Sequence, residues 1–175
     1  MHTFNPYEYL ITEHKIAIDR DLFKSSIKGQ HTKLMEVEAI RPGILDYLDK
    51  AKAVGLKIGL ASSSSRVWVD QYLKQLDIAH YFDCIRTADN VKKVKPDPEL
   101  YLQTLECLGV EAQEAIAIED SPNGAKAAEA AGMHCVAIPN SITQFLEFGL
   151  VNYRLISLAD LEFDELLANP SGTSL

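Results

Sequence analysis

The 175-residue chain is poor in several things, and each shortage removes a class of function. It has no run of Lys and Arg and carries a net charge of −8, which argues against nucleic acid or an anionic membrane as its partner. No stretch approaches the roughly 20 consecutive apolar residues of a membrane span, and Met1-His2-Thr3-Phe4-Asn5-Pro6 has neither the basic start nor the apolar block of a signal peptide. A cytoplasmic location is therefore expected. Only three cysteines occur, Cys84, Cys107 and Cys135, far apart in apolar segments and without a Cys-x-x-Cys spacing. They are expected to be buried reduced thiols, with neither a disulfide nor a metal role. His2, His14, His31, His80 and His134 are equally scattered, and none reads as a catalytic base. No internal repeat or low-complexity segment is present.

What the chain does have is alternation. From Gly43 onward helical and strand periods succeed one another. Ile44, Leu45, Leu48, Ala51 and Val54 recur at helical spacing until Gly55, and the strand Lys57 to Ala61 follows. A helix through Val67 to Leu76, a strand from Phe82 to Thr87 and a helix from Asp97-Pro98 to Gly109 come next. Ala115 to Ile118 is the clearest buried strand, and the helix after it is rich in alanine and ends at Gly132. Cys135 to Ile138 is a further strand, Asn140 to Phe148 a short helix, Tyr153 to Ser157 an edge strand, and Asp160 the cap of a terminal helix. The tail from Asn169 is expected to fray. This order predicts an α/β fold, a doubly wound parallel sheet with helices on both faces. Residues 1–40 read as helical and accessory, residues 41–170 as the α/β core, and residues 171–175 as tail.

Three segments carry the chemistry. Leu60-Ala61-Ser62-Ser63-Ser64, Lys95-Pro96-Asp97-Pro98 and Ile116-Ala117-Ile118-Glu119-Asp120-Ser121-Pro122-Asn123-Gly124 all lead into helices, which would bring them to one edge of one sheet. Ser62 and its neighbours offer hydroxyls and backbone N–H groups to an anion, although a serine run is also what helix caps look like. Lys95, fixed by Pro96, can present an ammonium to a phosphate, or belong to a solvated basic loop with Lys92 and Lys93. Glu119 and Asp120 can coordinate a hard cation such as Mg²⁺; alternatively Asp120 or Ser121 caps the next helix.

Taken in order, the three segments resemble the haloacid dehalogenase superfamily, in its β-phosphoglucomutase-like and phosphoglycolate-phosphatase-like branch. The resemblance runs from about Arg41 to Asn140. It implies that Ser62 and the backbone at Ser63 hold a transferring phosphoryl group, that Lys95 neutralises it, and that Glu119 and Asp120 hold Mg²⁺ with Ser64, Ser121 and Asn123 in support. Ser62, Lys95 and Asp120 are the implied catalytic residues and a small phosphorylated metabolite the implied partner. The helical segment before Arg41 resembles part of the family's cap.

The family's nucleophile motif, Asp-x-Asp-Gly-Thr at a strand end, has no counterpart here. Lys15-Ile16-Ala17-Ile18-Asp19-Arg20-Asp21 has the Asp-x-Asp spacing, but Leu22-Phe23 stands where the sharp turn needs glycine. Asp19 is expected to be a helix N-cap; the alternative is that Asp19 and Asp21 act as the nucleophile motif. With the motif missing, the chain is expected to be inactive alone, and the strands near 57–61 and 115–119 to flank an unfilled central position. A non-catalytic phosphate or metal binder, or a scaffold associating through its open sheet edges, is the competing expectation.

Overall fold

The computed structural model describes residues 6–35 and 37–172, and the chain divides into two compact units, Met1–Ala39 and Ile40–Leu175. In the first, α1 (Pro6–Thr12) precedes α2 (Arg20–Met35). Asp19 begins α2 by accepting the backbone N–H of Asp21 at 3.0 Å and of Leu22 at 2.8 Å, the capping role its spacing suggested.

In the second unit the order is α3 (Ile44–Ala53), β1 (Gly59–Ala61), α4 (Arg66–Gln75), β2 (Cys84–Arg86), α5 (Glu99–Leu108), β3 (Ile116–Glu119), α6 (Pro122–Ala131), β4 (His134–Ala137), β5 (Tyr153–Arg154) and α7 (Phe163–Ala168). Glycine stops two of the helices. Gly109 after α5 and Gly132 after α6 both take the left-handed conformation that satisfies the last carbonyls, at φ 63° and 79°.

All strand pairs are parallel, as expected. They form two sheets among the described residues, β1 with β2 and β3 with β4 and β5. β1 and β3 are each paired along one edge only, so the expected flanks of a central strand head separate sheets. Side chains still join them. Ile58 and Ile116 pack on a common cluster of Tyr47, Val136, Ile138, Leu158 and Phe163. Ala61, at the end of β1, packs with Tyr101, Ala117 and the alanines of α6.

Four expectations need correction. Residues 140–148 are not helical but form turns over 141–145, because Asn140 Oδ1 takes the N–H groups of Ile142 and Thr143 and holds the backbone in a local turn. Asp160 does not cap α7; its carboxylate accepts the N–H of Ser157 at 2.9 Å and closes a single 3₁₀ turn. The tail is tied where it is described, with Tyr153 donating to the carbonyl of Asn169 and Asn152 to that of Ser171; residues 173–175 lie outside the described residues, as do residues 1–5. Cys84 and Cys107 are joined by a disulfide with an S–S distance of 2.11 Å, and Cys135 alone is free. Cys84 is buried as expected but Cys107 is exposed; α5 lies against β2 and brings together sulfurs 23 residues apart in sequence, which local pattern does not reveal.

Candidate active site

The carboxyl end of β3 is the centre of the site. Glu119 is its last residue and is buried, while Asp120 is exposed at the turn into α6. Neighbours in sequence, the two carboxylates have opposite surroundings.

Glu119 Oε1 accepts hydrogen bonds from Lys95 Nζ and from the phenol of Tyr101. The Lys95 and Glu119 side chains are 10% and 6% exposed, so this is a buried ion pair with hydrogen-bonding help, the arrangement in which opposite charges offset their desolvation. Space for the Glu119 carboxyl comes from Gly124 on the first turn of α6. A Cβ there would lie 1.8 Å from Glu119 Oε2, so a side chain at 124 and this carboxylate position exclude each other. The Tyr101 phenol is held far above its usual range, first by burial and then by the charge of Glu119 and the hydrogen bond to it. The nearby Cys135 thiol is pushed up to about 12, again by burial first and Glu119 second.

Asp120 belongs to a different network. Its Oδ2 accepts from the Asn140 amide at 3.0 Å, and its backbone carbonyl accepts from the Thr143 hydroxyl at 2.6 Å. The turn after β4 is thereby fastened to the turn after β3.

The Ser62 N–H donates to the carbonyl of Arg86 at 2.9 Å, continuing the β1–β2 ladder, and its Oγ accepts the N–H of Ser64 at 3.1 Å. Ser65 is the N-cap of α4 without a side-chain capping bond, and the first N–H of that helix, on Arg66, goes to Asp89 at 2.7 Å. Ser121 Oγ accepts the N–H of Gly124 at 3.1 Å, the capping role weighed for it from sequence. Asn123 stands exposed on the first turn of α6. Lys92 and Lys93 fold their backbone N–H groups onto Glu99, which orders the approach to Lys95.

Of the residues read from sequence, Lys95 and Glu119 are in direct contact, and Asp120 is adjoining in the chain but separately bonded. Ser62 follows Ala61, which shares a core cluster with Tyr101. Sequence reasoning missed Tyr101, Asn140 and Thr143. Tyr101 lies within the helix expected from Asp97-Pro98 to Gly109; the available signal was that a buried phenol needs a partner for its hydroxyl.

The donor set can be weighed against Mg²⁺, a hard cation that commonly takes one or two protein carboxylates and leaves its remaining positions to water and substrate phosphate. Asp120 offers an exposed carboxylate with one oxygen engaged by Asn140, and Glu119 stands beside it at the strand end, engaged by Lys95. No group of three or more His, Cys, Asp or Glu placed to hold a metal occurs among the described residues, and of the two carboxylates Asp120 is the exposed one.

Comparison with known proteins identifies the family. The family model for haloacid dehalogenase-like hydrolases matches residues 3–138. YhcW of Bacillus subtilis (strain 168), which carries a phosphatase name, is 45% identical over 164 residues, covering 94% of this chain and 74% of that protein. The crystal structure of a mutant CbbY from Rhodobacter sphaeroides in complex with xylulose-(1,5)bisphosphate superposes with a TM-score of 0.70 at 34% identity, covering 74% of this chain and 60% of that one. β-Phosphoglucomutase from Clostridium difficile gives a TM-score of 0.73 at 27% identity, over 93% of this chain and 72% of that one. The chain belongs to the haloacid dehalogenase-like hydrolases, whose members similar to it include phosphatases and β-phosphoglucomutase-like proteins, and it is an enzyme by family.

Proposed function

We propose that the chain carries most of a site for Mg²⁺-dependent phosphoryl transfer from a small phosphorylated metabolite by way of an aspartyl-phosphate. The observation that carries this reading is the buried ammonium of Lys95, held by Glu119 at the carboxyl end of a parallel strand, where α/β folds bind ligands. Ser62 and the backbone at Ser63 bind the transferring group and Lys95 neutralises it. Asp120 would hold Mg²⁺, with Glu119 beside it; when bound, the ion supplies charge neutralisation to the phosphoryl oxygens. Ser121 and Asn123 shape the turn that presents Asp120, and Ser64 holds Ser62 in place. The attacking aspartate comes from a strand laid along the single-paired edges of β1 and β3, and these residues without it turn over negligibly.

The test is hydrolysis of a generic phosphomonoester with Mg²⁺, by the 175 residues alone and by the same residues with an Asp-x-Asp-Gly strand fused upstream. Activity only in the extended form is expected. Robust hydrolysis by the shorter form would overturn the claim of inactivity, and no activity or Mg²⁺ binding in either form would remove the phosphoryl-transfer reading.

One observation favours a second reading, a self-associating or purely binding domain: among the described residues β1 and β3 each have one unpaired edge. Sedimentation velocity across a concentration series separates the two, since a monomer at all concentrations leaves no role for edge pairing.

A further inference from the structure

We infer that Tyr101 is a positioning residue, which fixes the Lys95 ammonium between a phenol and a carboxylate so that one N–H is left for an anion. This rests on the proposed phosphate role of Lys95 and deepens it. An ammonium has three donors. One goes to Glu119 Oε1 and one to the Tyr101 hydroxyl at 3.3 Å, while the Tyr101 ring lies 4.5 Å from Nζ, close enough for its face to attract the cation. The same hydroxyl donates its own proton to Glu119 Oε1, so donor and acceptor capacity are both used within one buried triangle.

Simple core filling does not account for this residue. Phenylalanine would pack equally among Ala117, Ala125 and Ala128, and a buried hydroxyl is unfavourable unless it finds partners. Here both partners are the charged groups of the site. Gly124 leaves Glu119 room on one side and Tyr101 holds it on the other.

The experiment measures acylation of individual lysines by an N-hydroxysuccinimide ester, read by peptide mass spectrometry on the full chain. Tyr101→Phe is expected to speed modification of Lys95 by a factor of about 3 to 10, the weight of one net hydrogen bond. The exposed Lys74 and Lys126 should keep their rates and serve as internal references. Thr104→Val, which removes a buried hydrogen bond to Leu100 on the same helix, controls for loosening of α5 and should leave Lys95 unchanged. A Lys95 rate unmoved by Tyr101→Phe, or moved equally by Thr104→Val, overturns the proposal. In the wild type, an isotope-labelled Lys95 ammonium should exchange slowly enough to be seen by NMR; its absence also overturns the proposal, whether or not the variant folds.

Calorimetry with inorganic phosphate separates this inference from the reading beneath it. Binding weakened by Tyr101→Phe supports both, and equal binding by wild type and variant overturns the role of Tyr101 alone. If the wild type binds no phosphate, the phosphate role of Lys95 falls, and the acylation result still decides whether Tyr101 positions it.

Discussion

The two sheets of the second unit are held by different means. Around β3 and β4 the contacts are close and apolar: Ala125, Ala127 and Ala128 of α6 have no exposed surface, and Ala117 and Ala137 meet them from the strands. Small side chains let that helix lie near the sheet, and dispersion and burial do the rest. None of the three residues of β1 is fully buried. That side has a smaller apolar cluster, in which Leu60 and Ile85 pack on Val69, Leu73 and Ile78, and polar and covalent ties add to it: Asp83 accepts from Lys52 at 2.7 Å and from the N–H of Ile58 at 2.8 Å, and the Cys84–Cys107 bridge joins β2 to α5. The buried ion pair sits on the packed side, whereas Ser62 extends the tied side. The charged pair of the candidate site thus lies beside the close-packed alanines.

If that contrast is right, the largest effect comes from disturbing the packed side at its tightest contact. Gly124→Ala must displace Glu119 from Lys95 and Tyr101, and urea denaturation should show a loss of about 3 to 5 kcal/mol, the cost of breaking a buried pair. An unchanged midpoint would mean that the carboxylate moves aside freely. On the tied side, Cys107→Ala should cost about 3 kcal/mol through the 23-residue loop it opens. That difference should vanish when both proteins are denatured in reductant.

Changes of pH should act on the two sides in opposite directions. Lys52 and the Ile58 N–H hold the Asp83 carboxyl below its ordinary range. Its contribution is present above the unfolded value and is lost as pH falls through the folded one, so Asp83→Asn should flatten the acid limb of a stability profile. Tyr47, buried in the packed side with its hydroxyl donating to Leu161, is pushed up to about 12, chiefly by burial. Its contribution is complete below the ordinary value near 10 and disappears as pH rises toward 12, so Tyr47→Phe should flatten the alkaline limb. The smallest effect is expected at the exposed Arg66–Asp70 pair of α4, where Asp70→Asn should shift stability by only about 0.3 to 0.5 kcal/mol, and less in high salt.

The elements were legible wherever periodicity and punctuation agreed. Apolar runs marked β1 to β4, and Gly109 and Gly132 ended their helices as read. Where side chains compete with the backbone, local pattern misled. Asn140 turns residues 140–148 away from a helix, and Asp160 closes its own turn before α7 begins. The site motifs were visible as short strings, but their division of labour was not. That Glu119 faces inward to Lys95 and Asp120 outward to Asn140 depends on the alternation of the strand end and on space left by Gly124 in the first turn of α6. The disulfide and the Tyr101 contacts depend on how α5 docks across β1, β2 and α6, which no local window contains.

With the other two sulfurs bonded to each other, Cys135 is left as the sole thiol, sealed inside β4 with about 2% of its surface accessible. Its proton is retained at every ordinary pH, so a thiol reagent meets an unreactive group until the strand opens. The rate at which such a reagent consumes it under native conditions is therefore a built-in clock for the opening of the packed sheet, needing no engineered probe.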